Sequence, residues 1–140
     1  MNPVGIALGS NLGDREAHLA TARDRLRELH EGEPEDFRIA TTIETEPIDC
    51  APGTPSFLNT VLELQSSLKP LEILDFCQQI EQEAGRPAER EKNSPRTVDV
   101  DILYVGDLEM DTERLILPHP EMQNRDFVLV PLQEIRPDRA

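Results

Sequence analysis

The 140-residue chain has no tryptophan, one tyrosine and four phenylalanines, so a packed interior must be built mainly from Leu, Ile and Val. It has only two cysteines, Cys50 and Cys77, set 27 positions apart and outside any CxxC motif, which excludes a disulfide framework and predicts cytosolic thiols. His18, His30 and His119 are scattered without zinc-ligand spacing. Apolar runs are short, which excludes a membrane span, and the opening MNPVGIALGSNLGD lacks the basic leader and long apolar stretch of a signal peptide. Positive charge is also scarce. Fourteen Lys and Arg face 28 Asp and Glu, a formal charge of -14 that disfavours general binding to nucleic acid or to an anionic membrane. RNA recognition is further disfavoured because no strand carries an aromatic RNP-like motif.

The length predicts one domain spanning residues 1–140. Val4 to Leu8 reads as a buried strand ending at Gly9-Ser10-Asn11. Asp14 can cap a helix carrying Ala17, Leu19, Ala22, Leu26 and Leu29 at helical spacing, with an end near His30 to Gly32. Phe37 to Glu44 partly alternates and predicts a strand, and Phe57 to Leu64 predicts its antiparallel partner. The intervening segment from Glu46 to Pro55, with three prolines and one glycine, predicts an irregular loop. Pro70 suits the first turn of a helix through Ala84, with Gly85 as its stop. Thr97 to Tyr104 is a strand, Leu115 to Leu117 a short one, and Phe127 to Glu134 a candidate helix. This order predicts an α+β fold, a ferredoxin-like βαββαβ sandwich with helices covering one face of an antiparallel sheet. Many unrelated activities share that fold, so function must come from particular residues.

The most specific segment is Pro95-Arg96-Thr97-Val98-Asp99-Val100-Asp101. Strand alternation sets Asp99 and Asp101 side by side, with Cα atoms about 7 Å apart, while Val98, Val100 and Ile102 turn into the core. Two adjacent carboxylates repel, and a divalent cation relieves that cost; Mg²⁺ commonly takes one or two carboxylates together with phosphate oxygens. A solvated acidic face has the same spacing. Arg86, Arg90, Lys92 and Arg96 lie just before the pair, and guanidinium groups suit phosphate oxygens, although a plain charged loop reads the same way. Prolines flank His119 and stiffen its backbone, as either a positioned ligand contact or an ordinary rigid turn would require. Gly9-Ser10-Asn11-Leu12-Gly13 lacks the Lys-Ser/Thr ending of a P-loop and reads as a tight strand-to-helix connection.

Taken together, AlaLeuGlySerAsnLeuGly at 7–13, Phe57-Leu58-Asn59, Glu81, Gly85-Arg86, the block from Pro95 to Leu103, Arg114-Leu115, Pro118-His119 and Asn124 to Phe127 resemble the 6-hydroxymethyl-7,8-dihydropterin pyrophosphokinase family of folate biosynthesis. The resemblance covers nearly the whole chain. It implies transfer of pyrophosphate from Mg²⁺-bound ATP to the pterin hydroxymethyl oxygen, with release of AMP. Asp99 and Asp101 match carboxylates that hold two Mg²⁺ ions, and Arg86 and Arg96 match catalytic loop and strand-start arginines. Thr45, Pro47, Ile48, Phe57, Asn59 and Phe127 match the pterin pocket, the two phenylalanines stacking on the ring and the amide reading its edge. Glu81, Arg86, Arg96, Ile102, Arg114, His119 and Arg125 match the ATP side. Ala88 and Asn93 depart from the arginine and tryptophan many relatives carry there, so Arg90 or Lys92 is expected to take over a phosphate contact. The resemblance also implies a cytoplasmic monomer.

Overall fold

The computed structural model describes residues 1–46, 56–85 and 97–140. Its elements are β1 (Asn2–Ser10), α1 (Arg15–Arg27), β2 (Arg38–Ile39), β3 (Ile43–Thr45), β4 (Phe57–Ser66), α2 (Pro70–Glu83), β5 (Asp99–Val105), β6 (Met110–Asp111), β7 (Ile116–Leu117) and α3 (Asp126–Ile135). Short 3₁₀ turns occupy Pro34–Asp36, Met122–Asn124 and Pro137–Arg139.

The main sheet runs β2-β4-β1-β5, with β3 also on β4, and every pairing is antiparallel. Counting β2 and β3 as one broken strand, this is the strand order expected of the βαββαβ sandwich. The helix ends follow local chemistry. Asp14 accepts from the Ala17 N–H at 3.1 Å and caps α1. Pro70 opens α2, with Glu72 reaching back to the Lys69 N–H at 2.9 Å. Gly85 follows the helix at φ +95°, a conformation that favours glycine.

The structure corrects the expected layering. α1 and α2 cover one face through Leu19, Ala22, Leu26, Ile73, Cys77 and Ile80, packed on Val4, Ile6, Leu8, Leu62, Leu64, Val100 and Ile102. The second face is also covered. Val128 and Leu132 of α3 pack there with Met122 against Val61, Leu103 and Tyr104. The alternation of Val61 with Leu62 and of Leu103 with Ile102 divides the strands between two cores. A register shift on β5 leaves Leu103 as an extra residue between Ile102, opposite Ile6, and Tyr104, opposite Gly5. Leu103 and Tyr104 therefore both join the α3 side.

Other boundaries also move. The segment predicted as one strand from Phe37 to Glu44 is broken between β2 and β3. There Ala40 N–H donates to the Val61 carbonyl at 2.9 Å and its own carbonyl accepts from Thr60 Oγ1 at 2.9 Å. α1 ends at Arg27, three residues before the expected His30, and the short strand at 115–117 narrows to Ile116–Leu117, paired with β6. α3 keeps its helix despite Pro131, which is buried.

Candidate active site

The site is built from one end of the sheet, on the face that carries α3. Gly9, near the end of β1, pairs with Asn59 on β4 and with Asp99 on β5, and Ala7 pairs with Asp101. Cross-strand partners point to the same face, so Phe57, Asn59, Asp99 and Asp101 all project from it. With strands about 4.8 Å apart, Asn59 and Asp99 stand on the order of 10 Å apart across Gly9. Only a glycine and an alanine of the central strand lie between them, and a Cβ added at Gly9 would already stand 3.0 Å from Asn59 Oδ1.

Asn59 is buried, and its Nδ2 donates to Thr45 Oγ1 at 2.6 Å. That bond orients the amide, and Thr45 itself pairs with Phe57. Phe127, on the first turn of α3, packs at the margin of the second core, with the Arg125 guanidinium 5.6 Å from its ring centre. Thr45, Phe57 and Asn59 thus form one cluster, with Phe127 on the helix that covers the same face.

On the far side of β5 lies a cavity of about 270 Å³ lined by Leu74, Asp101, Ile102, Arg114, Ile116 and His119, among others. Three residues expected on the ATP side, Ile102, Arg114 and His119, therefore meet there, and Asp101 joins them. Arg114 Nη2 is held by Asp75 at 2.6 Å, an exposed pair that a stronger anion can displace at little cost. His119 Nδ1 accepts from the Glu121 N–H at 3.1 Å, so the neutral ring carries its proton on Nε2. Burial, and then the charge of Arg125, hold the His119 pKa below its ordinary value and favour that neutral form.

Glu81 is placed differently from the other expected ATP residues. It is buried beneath the sheet, and its Oε2 accepts from the Val100 N–H at 2.9 Å. Val100 is the residue between Asp99 and Asp101 on an edge strand, so the carboxylate ties α2 to the peptide that carries both acids. Cys77, one turn earlier, is a buried thiol whose pKa is pushed up by burial and then by the nearby charges of Glu81 and Asp101. Pro47, Ile48, Arg86, Arg90, Lys92 and Arg96 lie outside the described residues, as does Cys50.

In the sequence the turn after β1 reads only as a connection. The structure gives it more to do: Gly9 forms the floor between Asn59 and Asp99, and the Ser10 hydroxyl donates to the Thr97 carbonyl just before β5. Ser10 and Asn11 are fully buried, an unusual place for small polar side chains. A polar pair directly following an apolar strand was the available signal.

The donor set near β5 suits a hard cation. Among the described residues no group of three or more His, Cys, Asp or Glu could enclose a metal by itself. Two half-exposed carboxylates on one face, one of them lining the edge cavity, instead fit Mg²⁺ that completes its shell with phosphate and water.

An antiparallel α+β sheet whose carboxylate pair lies between an aromatic and amide cluster and an edge cavity suits one class, a metal-assisted transferase. Residues 5–137 match the profile of the family described as 7,8-dihydro-6-hydroxymethylpterin-pyrophosphokinase, and the chain belongs to that family. A Bacillus subtilis 2-amino-4-hydroxy-6-hydroxymethyldihydropteridine pyrophosphokinase is 44% identical over 137 residues, covering 96% of this chain and 79% of the relative. An Aquifex aeolicus protein of the same name is 39% identical, covering 99% and 82%. The folic acid synthesis protein FOL1 of Dictyostelium discoideum is 35% identical over 98% of this chain, which matches 20% of that protein's length. The chain is accordingly an enzyme of the pyrophosphokinase step in folate biosynthesis, with ATP as co-substrate. No helix among the described residues is long and apolar enough to cross a membrane.

Proposed function

We propose that the acids divide the substrates, with 6-hydroxymethyl-7,8-dihydropterin on the β4 side of the acids and ATP on the β5 side. The observation that carries this reading is the register through Gly9, which sets an oriented amide and a carboxylate on one face with a residue that has no side chain between them. Phe57 and Phe127 stack on the two faces of the pterin, Asn59 pairs with its polar edge, and Thr45, Pro47 and Ile48 frame the pocket. Ile102, Arg114, His119 and Arg125 line the nucleotide, and Arg86 and Arg96 supply guanidinium groups to its phosphates.

Asp99 and Asp101 would hold two Mg²⁺ ions, which neutralise triphosphate charge as the transfer proceeds. The chain's own residues then align the reactants. The hydroxymethyl oxygen gives up its proton, with Asp99 the nearer acceptor, and bonds to the β-phosphorus; the bond from that phosphorus to the α–β bridging oxygen breaks, and AMP leaves with the bridging oxygen. Positioning carries most of the rate, because this chemistry asks for alignment and charge neutralisation more than covalent help. Cys77 is a free buried thiol, in keeping with a reducing, cytoplasmic setting. Besides Met1, the large exposed apolar residues among those described, Leu12, Leu71, Leu108, Ile116 and Val130, are scattered over α2, β7, α3 and two connecting segments, in keeping with a monomer.

The test is turnover with ATP, Mg²⁺ and the hydroxymethylpterin, following AMP and the pterin diphosphate together. A nucleotidyl transferase would release inorganic pyrophosphate instead. Asp99→Ala and Asp101→Ala should each lower kcat by about 10³-fold or more, roughly 4 kcal/mol of barrier, while unfolding at the wild-type temperature. Near-normal AMP release from either variant overturns the carboxylate assignment. Gel filtration against standards checks the monomer.

A further inference from the structure

Arg15 opens α1 and lies outside the residues that carry the family resemblance. Its guanidinium nevertheless reaches across to two distant strand ends. Nη1 donates to Glu44 Oε2 at 2.8 Å and to the Ser56 carbonyl at 2.9 Å, with Ser56 Oγ at 3.3 Å. The Ser56 hydroxyl completes the cluster by donating to Glu44 Oε2 at 2.7 Å. One cation thus joins the start of α1 to residues 29 and 41 positions later.

The two strand ends are those that bear the pterin-side cluster. Glu44 precedes Thr45 at the end of β3, Ser56 precedes Phe57 at the start of β4, and Thr45 pairs with Phe57. Strand alternation turns Glu44 toward the α1 side, opposite Leu58 of the first core, while Thr45, Phe57 and Asn59 face the other way. The grip is therefore applied from behind the sheet. α1 in turn starts five residues after Ser10, so the same guanidinium relates the Gly9 floor to the β3 and β4 walls.

We propose that Arg15 is a positioning residue for the pterin pocket, holding Glu44 and Ser56 together behind the sheet so that Thr45 and Phe57 keep their places in front. The inference rests on the assignment of Phe57 and Asn59 to the pterin. Its effect belongs to geometry more than to stability. An ion pair whose carboxylate is 56% exposed contributes little to folding, whereas a small displacement of a substrate-positioning group is costly to binding and alignment. The Glu44 carboxyl is held below the ordinary carboxylate range, first by the Arg15 hydrogen bond and then by Ser56, as a committed acceptor would be. All three contacts come from Nη1 alone, so a lysine ammonium that reaches the same point can keep part of the cluster.

The test compares Arg15→Ala, Arg15→Lys and Asn59→Ala, varying each substrate in turn and recording thermal unfolding. Arg15→Ala should raise the pterin KM roughly tenfold, leave the ATP KM within about twofold, and lower Tm by less than about 2 °C. Arg15→Lys should fall between wild type and Arg15→Ala. Arg15→Ala combined with Glu44→Ala should be no worse than Arg15→Ala alone, because the two act as a unit. If Asn59→Ala raises the pterin KM and Arg15→Ala does not, the positioning role is wrong and the pocket assignment stands. If neither variant moves the pterin KM, the pocket assignment fails and takes this inference with it. An equal rise in both KM values, or a large fall in Tm for both Arg15 variants, would assign Arg15 a general structural role and overturn the proposal.

Discussion

Two glycines of β1 show how the same residue type serves different ends a few positions apart. At Gly9 an added Cβ would stand 3.0 Å from Asn59 Oδ1 and 3.7 Å from Phe57 Cδ1. Its φ lies outside the left-handed region, so an alanine there strains no backbone, and its tightest contact is with the Asn59 amide, the Leu58 carbonyl standing at an ordinary 3.9 Å. At Gly5 the added atom would fall 2.2 Å from the Tyr104 ring, whose hydroxyl is bonded to the buried Glu63 carboxylate. Gly9→Ala should therefore raise the pterin KM about tenfold by pressing on the Asn59 amide, with stability changed by no more than about 0.5 kcal/mol. Gly5→Ala should leave KM unchanged in whatever fraction folds and cost about 1–3 kcal/mol through overpacking. Paired kinetics and denaturant titration check both, and a stability loss at Gly9 equal to that at Gly5 would contradict the distinction. In the sequence the two glycines look alike, and Gly9, beside Ser-Asn, reads only as a turn signal. The acids at 99 and 101 were legible because their meaning lies in a spacing of two along one strand. The meaning of Gly9 lies in its neighbours on β4 and β5, 50 and 90 positions away.

Between elements, the junction of α2 with β5 couples packing to the acids. An edge strand presents N–H groups that need partners, and Glu81 supplies one to Val100 from a buried position. Glu81→Ala removes a charge-assisted acceptor from a buried N–H, which should cost about 1.5–3 kcal/mol. It should also lower turnover, because the freed peptide is the one that sets Asp99 beside Asp101. Glu81→Gln keeps an acceptor oxygen and should recover most of the stability. Urea titration of both variants, read beside kcat, separates the effects; equal losses from Ala and Gln would mean that the charge, not the bond to Val100, carries the role. Helix and strand periodicity disclosed α2 and β5 with bounds close to those observed, yet not that a glutamate in the last turns of one would cap the edge of the other. The break between β2 and β3 was hidden for the same reason. The Thr41 N–H donates to Glu134 Oε2 at 2.8 Å, a partner 93 residues away in α3. Local alternation contains no trace of it.

For the molecule as a whole, the consequential finding is that one sheet carries a core on each face. The predicted order of strands and helices accounts for the first face. α3 was legible as a helix, but its destination was not, because a helix rich in Val and Leu fits either side of a sheet. The second core holds the only tyrosine, and the chain has no tryptophan. Tyr104 is buried, its hydroxyl on Glu63 and the Arg139 guanidinium 4.2 Å from its ring centre, while Glu63 also accepts from Arg136 at 2.7 Å. Tyrosine fluorescence therefore reports the α3 face, whereas far-UV circular dichroism is weighted toward α1 and α2, which hold 13 and 14 residues against 10 in α3. The two cores share strands, with Val61 beside Leu62 and Leu103 beside Ile102, so loosening either face exposes the backs of the same residues. Such a chain should unfold as one cooperative unit, the single domain its length suggests. Thermal curves followed by the two signals should share a midpoint within about 2 °C, as coincident probes of a two-state transition do. An earlier fluorescence transition would mean that α3 and the C-terminal turn detach first. Phe127 would then leave the site while Asp99 and Asp101 stayed in place, and pterin binding would be lost before the sheet melts.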